Sequence, residues 1–274
     1  MPAPSASDIY NIAVVPSILT IIHYSNIIGF NYLRIFILFL VSIVIYQNMP
    51  NAKKQSKTEE FLGLQTHQLI YYDFETTGLN MFHDRVIEYA FMKENSDKNP
   101  AENVHYIKSL VNPHTKFEEI ITKITGIHPQ ELETLPGIDN HSNKIVDFLR
   151  IPNGCVPYLV AHNGAGFDDF FLKRILSENS PGIYAEVKKN LRFIDTIHLA
   201  KKIARTKYHR RFSLKALAEH YKIKEGTHRA LSDVTTLREV YKALIRDLSL
   251  ELGMEFEDVL NDPEGVYNWL YDFN

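Results

Sequence analysis

Three short stretches of this chain hold four carboxylates and a histidine: Asp73-Phe74-Glu75-Thr76-Thr77-Gly78, His162-Asn163-Gly164-Ala165-Gly166-Phe167-Asp168 and His228-Arg229-Ala230-Leu231-Ser232-Asp233. Acidic side chains are ordinary on solvated surfaces, but each stretch adjoins an apolar run or small-residue turn that marks a strand end or a helix start. A fold that uses them together must bring one strand and two helix starts to a single point. Few chain topologies do so.

The surrounding pattern supplies such elements. Gln68 to Asp73 is an apolar run ending in acid, and Arg85 to Met92 and Val104 to Val111 alternate as half-buried strands do, predicting three successive antiparallel strands. Helix then alternates with strand: helices over Phe117 to Thr125 and Asn140 to Arg150, a strand over Tyr158 to Ala161, and a helix over Phe167 to Ser177. A short strand at Phe193 to Asp195 precedes helices over Thr196 to Ile203, Ser213 to Tyr221 and Ala230 to Leu248, with Ser213 as a cap and Gly226 in the turn before the last. The class expected is α/β, and a hydrophobic content of 45% is enough for a real core.

The chain divides into an N-terminal segment 1–48, a polar lysine-rich linker 49–63, a globular domain 64–248 and an acidic aromatic tail 249–274. Within the first segment, Ile27 to Tyr46 is apolar apart from Asn31, Arg34 and Ser42, long enough for a transmembrane helix. Lys53, Lys54 and Lys57 follow it, so the positive-inside rule predicts a membrane anchor with the globular domain in the cytoplasm. Met49 offers the alternative of a soluble cytoplasmic protein whose translation starts there. The tail is expected to dock on its own domain, or else on a polymerase or other protein partner. Cys155, the single cysteine, excludes an internal disulfide, fits a reducing compartment and reads as a packing residue.

A net charge of −3 gives no global attraction to nucleic acid. Polyanion binding must come from bound metal or from a local patch, of which Lys201, Lys202, Arg205, Lys207, His209, Arg210 and Arg211 is the candidate. Asp73 and Glu75, two apart on a strand, leave one face while Phe74 enters the core. Carboxylates held so close repel, and a divalent cation relieves them; an oxygen-only ligand set favours magnesium or manganese over zinc. Thr76, Thr77 and Gly78 turn the chain and are expected to leave backbone N–H groups free for a phosphate or a terminal hydroxyl. Asp168 falls in the first turn of a helix, and His228 and Asp233 flank another helix start. Imidazole is suited to taking a proton from water near neutral pH. The chemistry implied is in-line hydrolysis of a phosphodiester with two metal ions and a histidine general base.

These residues resemble the motifs of the DnaQ-like, DEDDh-type 3′ to 5′ exonucleases, including the proofreading subunit of bacterial replicative polymerases. Ile124-Thr125-Gly126-Ile127 and Phe212-Ser213-Leu214-Lys215-Ala216-Leu217-Ala218 also look like stretches of that family. The resemblance covers about Leu64 to Leu248 and implies an RNase H-like fold, a mixed central sheet flanked by helices. It implies that Asp73, Glu75 and Asp233 hold one ion, that Asp73 also touches a second ion supported by Asp168, and that His228 is the base. Leu79 would wedge between terminal bases, with Thr76 and Thr77 near the 3′ end and Asn163 and Phe167 lining the groove. The partners implied are single-stranded 3′ ends, DNA slightly favoured over RNA. An RNA 3′ exonuclease, or a module that binds nucleic-acid ends or a polymerase with incidental turnover, is the alternative.

Overall fold

The structure is a computed structural model that describes residues 67–94, 104–150, 156–207 and 211–272. The candidate membrane span, the linker and Cys155 lie outside them. Among the described residues, no helix is long and apolar enough to cross a membrane.

Five strands form one sheet: β1 (His67–Thr76), β2 (Val86–Glu94), β3 (Val104–Leu110), β4 (Val156–Ala161) and β5 (Arg192–Asp195), in the order β3-β2-β1-β4-β5. β1 pairs antiparallel with β2 and parallel with β4, and β4 pairs parallel with β5. Hence β1 is the line along which the sheet changes from antiparallel to parallel. Clefts open beyond strand ends at such a switch point. Near its end, the pairing of β1 with β2 slips by one residue between Glu75 and Thr76, an irregularity of the kind that bends a strand and re-aims its side chains.

Helices follow as α1 (Glu119–Thr125), α2 (Pro129–Leu132), α3 (Ser142–Leu149), α4 (Asp168–Asn179), α5 (Pro181–Val187), α6 (Thr196–Lys207), α7 (Leu214–Tyr221), α8 (Ala230–Leu252), α9 (Phe256–Leu260) and α10 (Pro263–Tyr271). The period-2 alternation of β1 divides them between two faces. Ile70, Tyr72 and Phe74 pack with α3 and α4, whereas Tyr71 packs with α6, α7 and α8. Asp73 and Glu75 therefore project on the side of α8. Ser213 caps α7 as expected, its hydroxyl accepting from the Ala216 N–H at 3.2 Å.

The strands and long helices stand where the apolar periodicity places them, although β1 runs three residues past Asp73 and carries Glu75 with it. The helices α2, α5, α9 and α10 were not foreseen: α2 and α9 are about one turn each and show no period, while α5 and α10 open on Pro181 and Pro263, which in a sequence read as breaks. The tail docks on its own domain: Val259, Val266 and Leu270 are buried in the same core as α8, and Lys202 donates to the backbone carbonyls of Trp269 and Leu270. Lys202 is thus withdrawn from the expected basic patch. The tail's aromatic residues Tyr267, Trp269 and Tyr271 also lie against that core rather than forming a free docking peptide. Leu270→Ala should cost about 2–3 kcal/mol in urea denaturation, whereas a tail that merely hung from α8 would give no change.

Candidate active site

The acidic residues from three distant parts of the chain meet at the end of β1. One carboxylate oxygen from each of Asp73, Glu75 and Asp233 lies within 4.8 Å of the others. Asp168, the first residue of α4 and only 4% exposed, accepts from the Phe74 N–H at 3.1 Å, which fixes it beside the backbone between Asp73 and Glu75. Asp233 stands in the first turn of α8. Room for its side chain comes from Gly226, where a Cβ would collide with the Asp233 carboxylate. His228 is exposed just before α8, with its backbone in the left-handed region at φ 52°.

The carboxyls feel this crowding. Burial, then the charges of Asp168, Glu75, Asp233 and Glu88, hold the Asp73 carboxyl well above the usual carboxylate range. Glu75 is pushed up to about 7 by burial and by Asp233 and Glu88, against a smaller opposing pull from Arg229. Asp168 is raised mainly by burial. Asp233 is raised by burial too, while the ring and backbone of His228 favour its charged form. An oxygen-only donor set under such strain fits a small hard dication, which would let these groups ionise together.

Around the acids stand residues that motif spacing did not single out. Glu88, opposite Glu75 in the β1/β2 register, is 3% exposed and accepts from Arg229 Nη2 at 2.8 Å, Arg229 Nε at 3.0 Å and the Ala230 N–H at 3.0 Å. This clamp holds the residues between His228 and α8 against the sheet. Asp195, at the end of β5, accepts from the N–H groups of Asn163 and Ala165 at 3.0 and 3.2 Å, and so shapes the turn ahead of Asp168. Asp169 takes the Tyr72 hydroxyl at 2.5 Å. An acid inside an apolar strand, as in Val86-Ile87-Glu88-Tyr89-Ala90, is the signal that could have found Glu88, since a buried charge requires a partner.

Of the groove residues expected, Leu79 and Asn163 are exposed and Phe167 is half-buried against Phe171. One expectation fails: the Thr77 N–H is not free, since it donates to the Arg85 carbonyl at 2.8 Å. Both threonine hydroxyls are committed as well, Thr76 to the Gly78 carbonyl at 2.6 Å and Thr77 to Asp84 at 2.8 Å. At Thr77 and in both hydroxyls, the turn after β1 satisfies its own polar groups.

The sequence model of the RNase T family, described as an exonuclease family, matches residues 70–241. The chloroplast and mitochondrial exonuclease DPD1 of Arabidopsis thaliana is 33% identical over 196 residues, which cover 66% of this chain and 57% of that protein. A PolC-type DNA polymerase III from Caldanaerobacter subterraneus is 28% identical over 195 residues, covering 71% of this chain and 13% of the polymerase. Exonuclease I of Escherichia coli, solved with zinc and single-stranded DNA, aligns with a TM-score of 0.55 at 20% identity over 72% of this chain and 43% of that one. That last likeness is one of fold. The chain spans less than two thirds of the length of each of these relatives.

Two outcomes follow from the charges. The raised carboxyls bind protons more tightly folded than unfolded, so their stabilising contribution is present below about pH 4 and lost as pH rises through the folded values. The melting temperature of metal-free protein should therefore fall between about pH 5 and pH 8. Manganese should restore more at the higher pH, and Asp73→Asn should flatten the fall and remove the manganese effect. For the clamp, Arg229→Ala leaves the buried Glu88 carboxylate with the Ala230 N–H alone and should cost about 2 kcal/mol. Glu88→Gln keeps an acceptor for the Ala230 N–H and should cost about 1 kcal/mol; equal losses in urea denaturation would contradict the clamp.

Proposed function

Because the chain belongs to the RNase T exonuclease family, we propose that it is a metal-dependent 3′ to 5′ exonuclease acting on single-stranded nucleic acid, DNA before RNA. The observation that carries this reading is the convergence of Asp73, Glu75 and Asp233 on one point, with Asp168 fixed beside them. Asp73, Glu75 and Asp233 would hold one magnesium or manganese ion, and Asp73 with Asp168 a second. Such ions supply charge that stabilises the phosphoryl group in flight and the departing oxygen.

The chain's own residues do the rest. His228, exposed beside Asp233, accepts a proton from the attacking water. The new P–O bond forms as the bond to the preceding nucleotide's 3′-oxygen breaks, releasing a nucleoside 5′-monophosphate. Glu88 and Arg229 act as positioning residues for the segment that bears His228. Leu79 takes the terminal base, and Asn163 and Phe167 line the groove. The single-stranded DNA in the exonuclease I complex and the kinship with a DNA polymerase support DNA as the polymer. That second kinship also supports association with a polymerase, through a surface other than the tail's buried apolar side. Anchoring through 27–46 would place the enzyme at a membrane with its site in the cytoplasm.

The full chain, given manganese and 5′-labelled single-stranded DNA or RNA, should yield a ladder shortening from the 3′ end. Asp73→Ala should slow it about a thousandfold, the effect of several kcal/mol of lost charge stabilisation. His228→Ala should slow it about 10²–10⁴-fold while leaving the manganese-dependent rise in melting temperature intact. A full-length label after prolonged incubation with both polymers would refute the reading.

A further inference from the structure

The chain between β1 and β2 holds two large apolar side chains in water, Leu79 at 85% and Phe82 at 74% exposure. Their exposure does not come from a loose loop. The Asn80 N–H donates to Asp84 Oδ2 at 2.7 Å, and Asn80 Oδ1 accepts from the Phe82 N–H at 3.0 Å. The Asp84 N–H returns to the Asn80 carbonyl at 2.8 Å. From α4, Arg174 donates to the carbonyls of Met81 and Asp84, both at 2.6 Å. Gly78, where the loop leaves the strand, gives the Asp84 carboxylate its place, since a Cβ there would lie 2.6 Å from Asp84 Oδ2 and displace it. Of the neighbouring apolar residues, Met81 packs against the core while Phe82 is turned outward. A loop tied down in this way, with Met81 partly buried and Phe82 exposed, leaves apolar area in water that a ligand can cover.

We propose that Phe82 is a stacking subsite for an unpaired nucleobase, extending the platform begun by Leu79. This rests on the exonuclease reading. The loop leaves β1 immediately after Asp73 and Glu75, so a strand whose 3′ end lies at the carboxylates passes it. Arg85, exposed at the foot of the loop, donates from Nη1 to the His83 and Asp84 carbonyls at 3.2 and 3.3 Å, which holds its positive charge beside the path of an anionic backbone, while the Asp84 carboxylate is turned to Thr77 and Asn80. Two side chains are too small a patch for a protein interface, which needs roughly 1,200 Å² or more in total. One ring is sufficient for one base, and such stacking tolerates any sequence because every base has a π-face.

The test measures fluorescence anisotropy of a labelled oligothymidylate on the full chain carrying Asp73→Asn, so that the probe survives. Adding Phe82→Ala should weaken binding about tenfold, the scale of one lost base stack. Phe82→Leu should weaken it similarly, Phe82→Trp should preserve it, and none should move the melting temperature. In oligonucleotides with a single abasic residue stepped back from the 3′ end, one position should abolish the difference between Phe82 and Phe82→Ala. Unchanged affinity in Phe82→Ala, or a loss that persists with every abasic probe, overturns the subsite; if the unsubstituted chain still shortens DNA, it overturns the subsite alone. Absence of both binding and shortening overturns the subsite together with the exonuclease reading.

Discussion

Repulsion among the acidic side chains at the end of β1 is the constraint on which the remaining architecture depends. Asp73 and Glu75 cannot move apart, because β1 is held in register against β2 through both residues and its alternation commits them to one face. Asp168 is tied to the Phe74 N–H, and Asp233 rides on a helix whose first residue is bonded to Glu88. In water, such charges would separate at little cost. Held in place, they shift toward protonation or wait for a cation, and the raised carboxyls at Asp73, Glu75, Asp168 and Asp233 express that choice.

The fold supplies rigidity where the charges need it. The crossing from antiparallel to parallel pairing at β1 brings α4 on one face and α8 on the other to the same strand end. Glu88 adds a further negative charge to an already crowded place, which Arg229 offsets with a two-point hydrogen-bonded pair. The pair's worth lies in geometry more than in stability. With Glu88 buried and Arg229 half-exposed, the pair contributes little net energy, but it fixes the orientation of the segment that carries His228.

Much of this was legible in the residues. Asp73-Phe74-Glu75 announced its geometry through the period of a strand, and the helix starts at Asp168 and Ala230 followed from the small-residue turn and the apolar run beside them. What stayed hidden was relational. Glu88 and Asp195 act on residues 141 and 32 positions away in sequence, and a carboxylate's partner across that distance depends on sheet register, which local pattern does not specify. The opposite error occurred at Thr77, where a turn predicted to leave an N–H free instead closes on Arg85. Turn residues readily satisfy their neighbours, and the competition among Thr77, Asn80 and Asp84 for the same few groups is settled only in three dimensions.

The same bonds that withdraw Thr77 from the ligand give the loop its rigidity. If Thr76 and Thr77 spent their hydrogen bonds on a bound strand, the loop would have to be ordered afresh at each encounter, with the entropy of that ordering opposing binding. A loop closed upon itself presents Leu79 and Phe82 already in place, and apolar contact with a base requires no hydrogen bond from either. Recognition through faces rather than edges would suit the proposed 3′ to 5′ exonuclease, which must accept each successive terminal nucleotide whatever its base. On that reading the specificity that remains is for an unpaired end, because only an unstacked base offers its face.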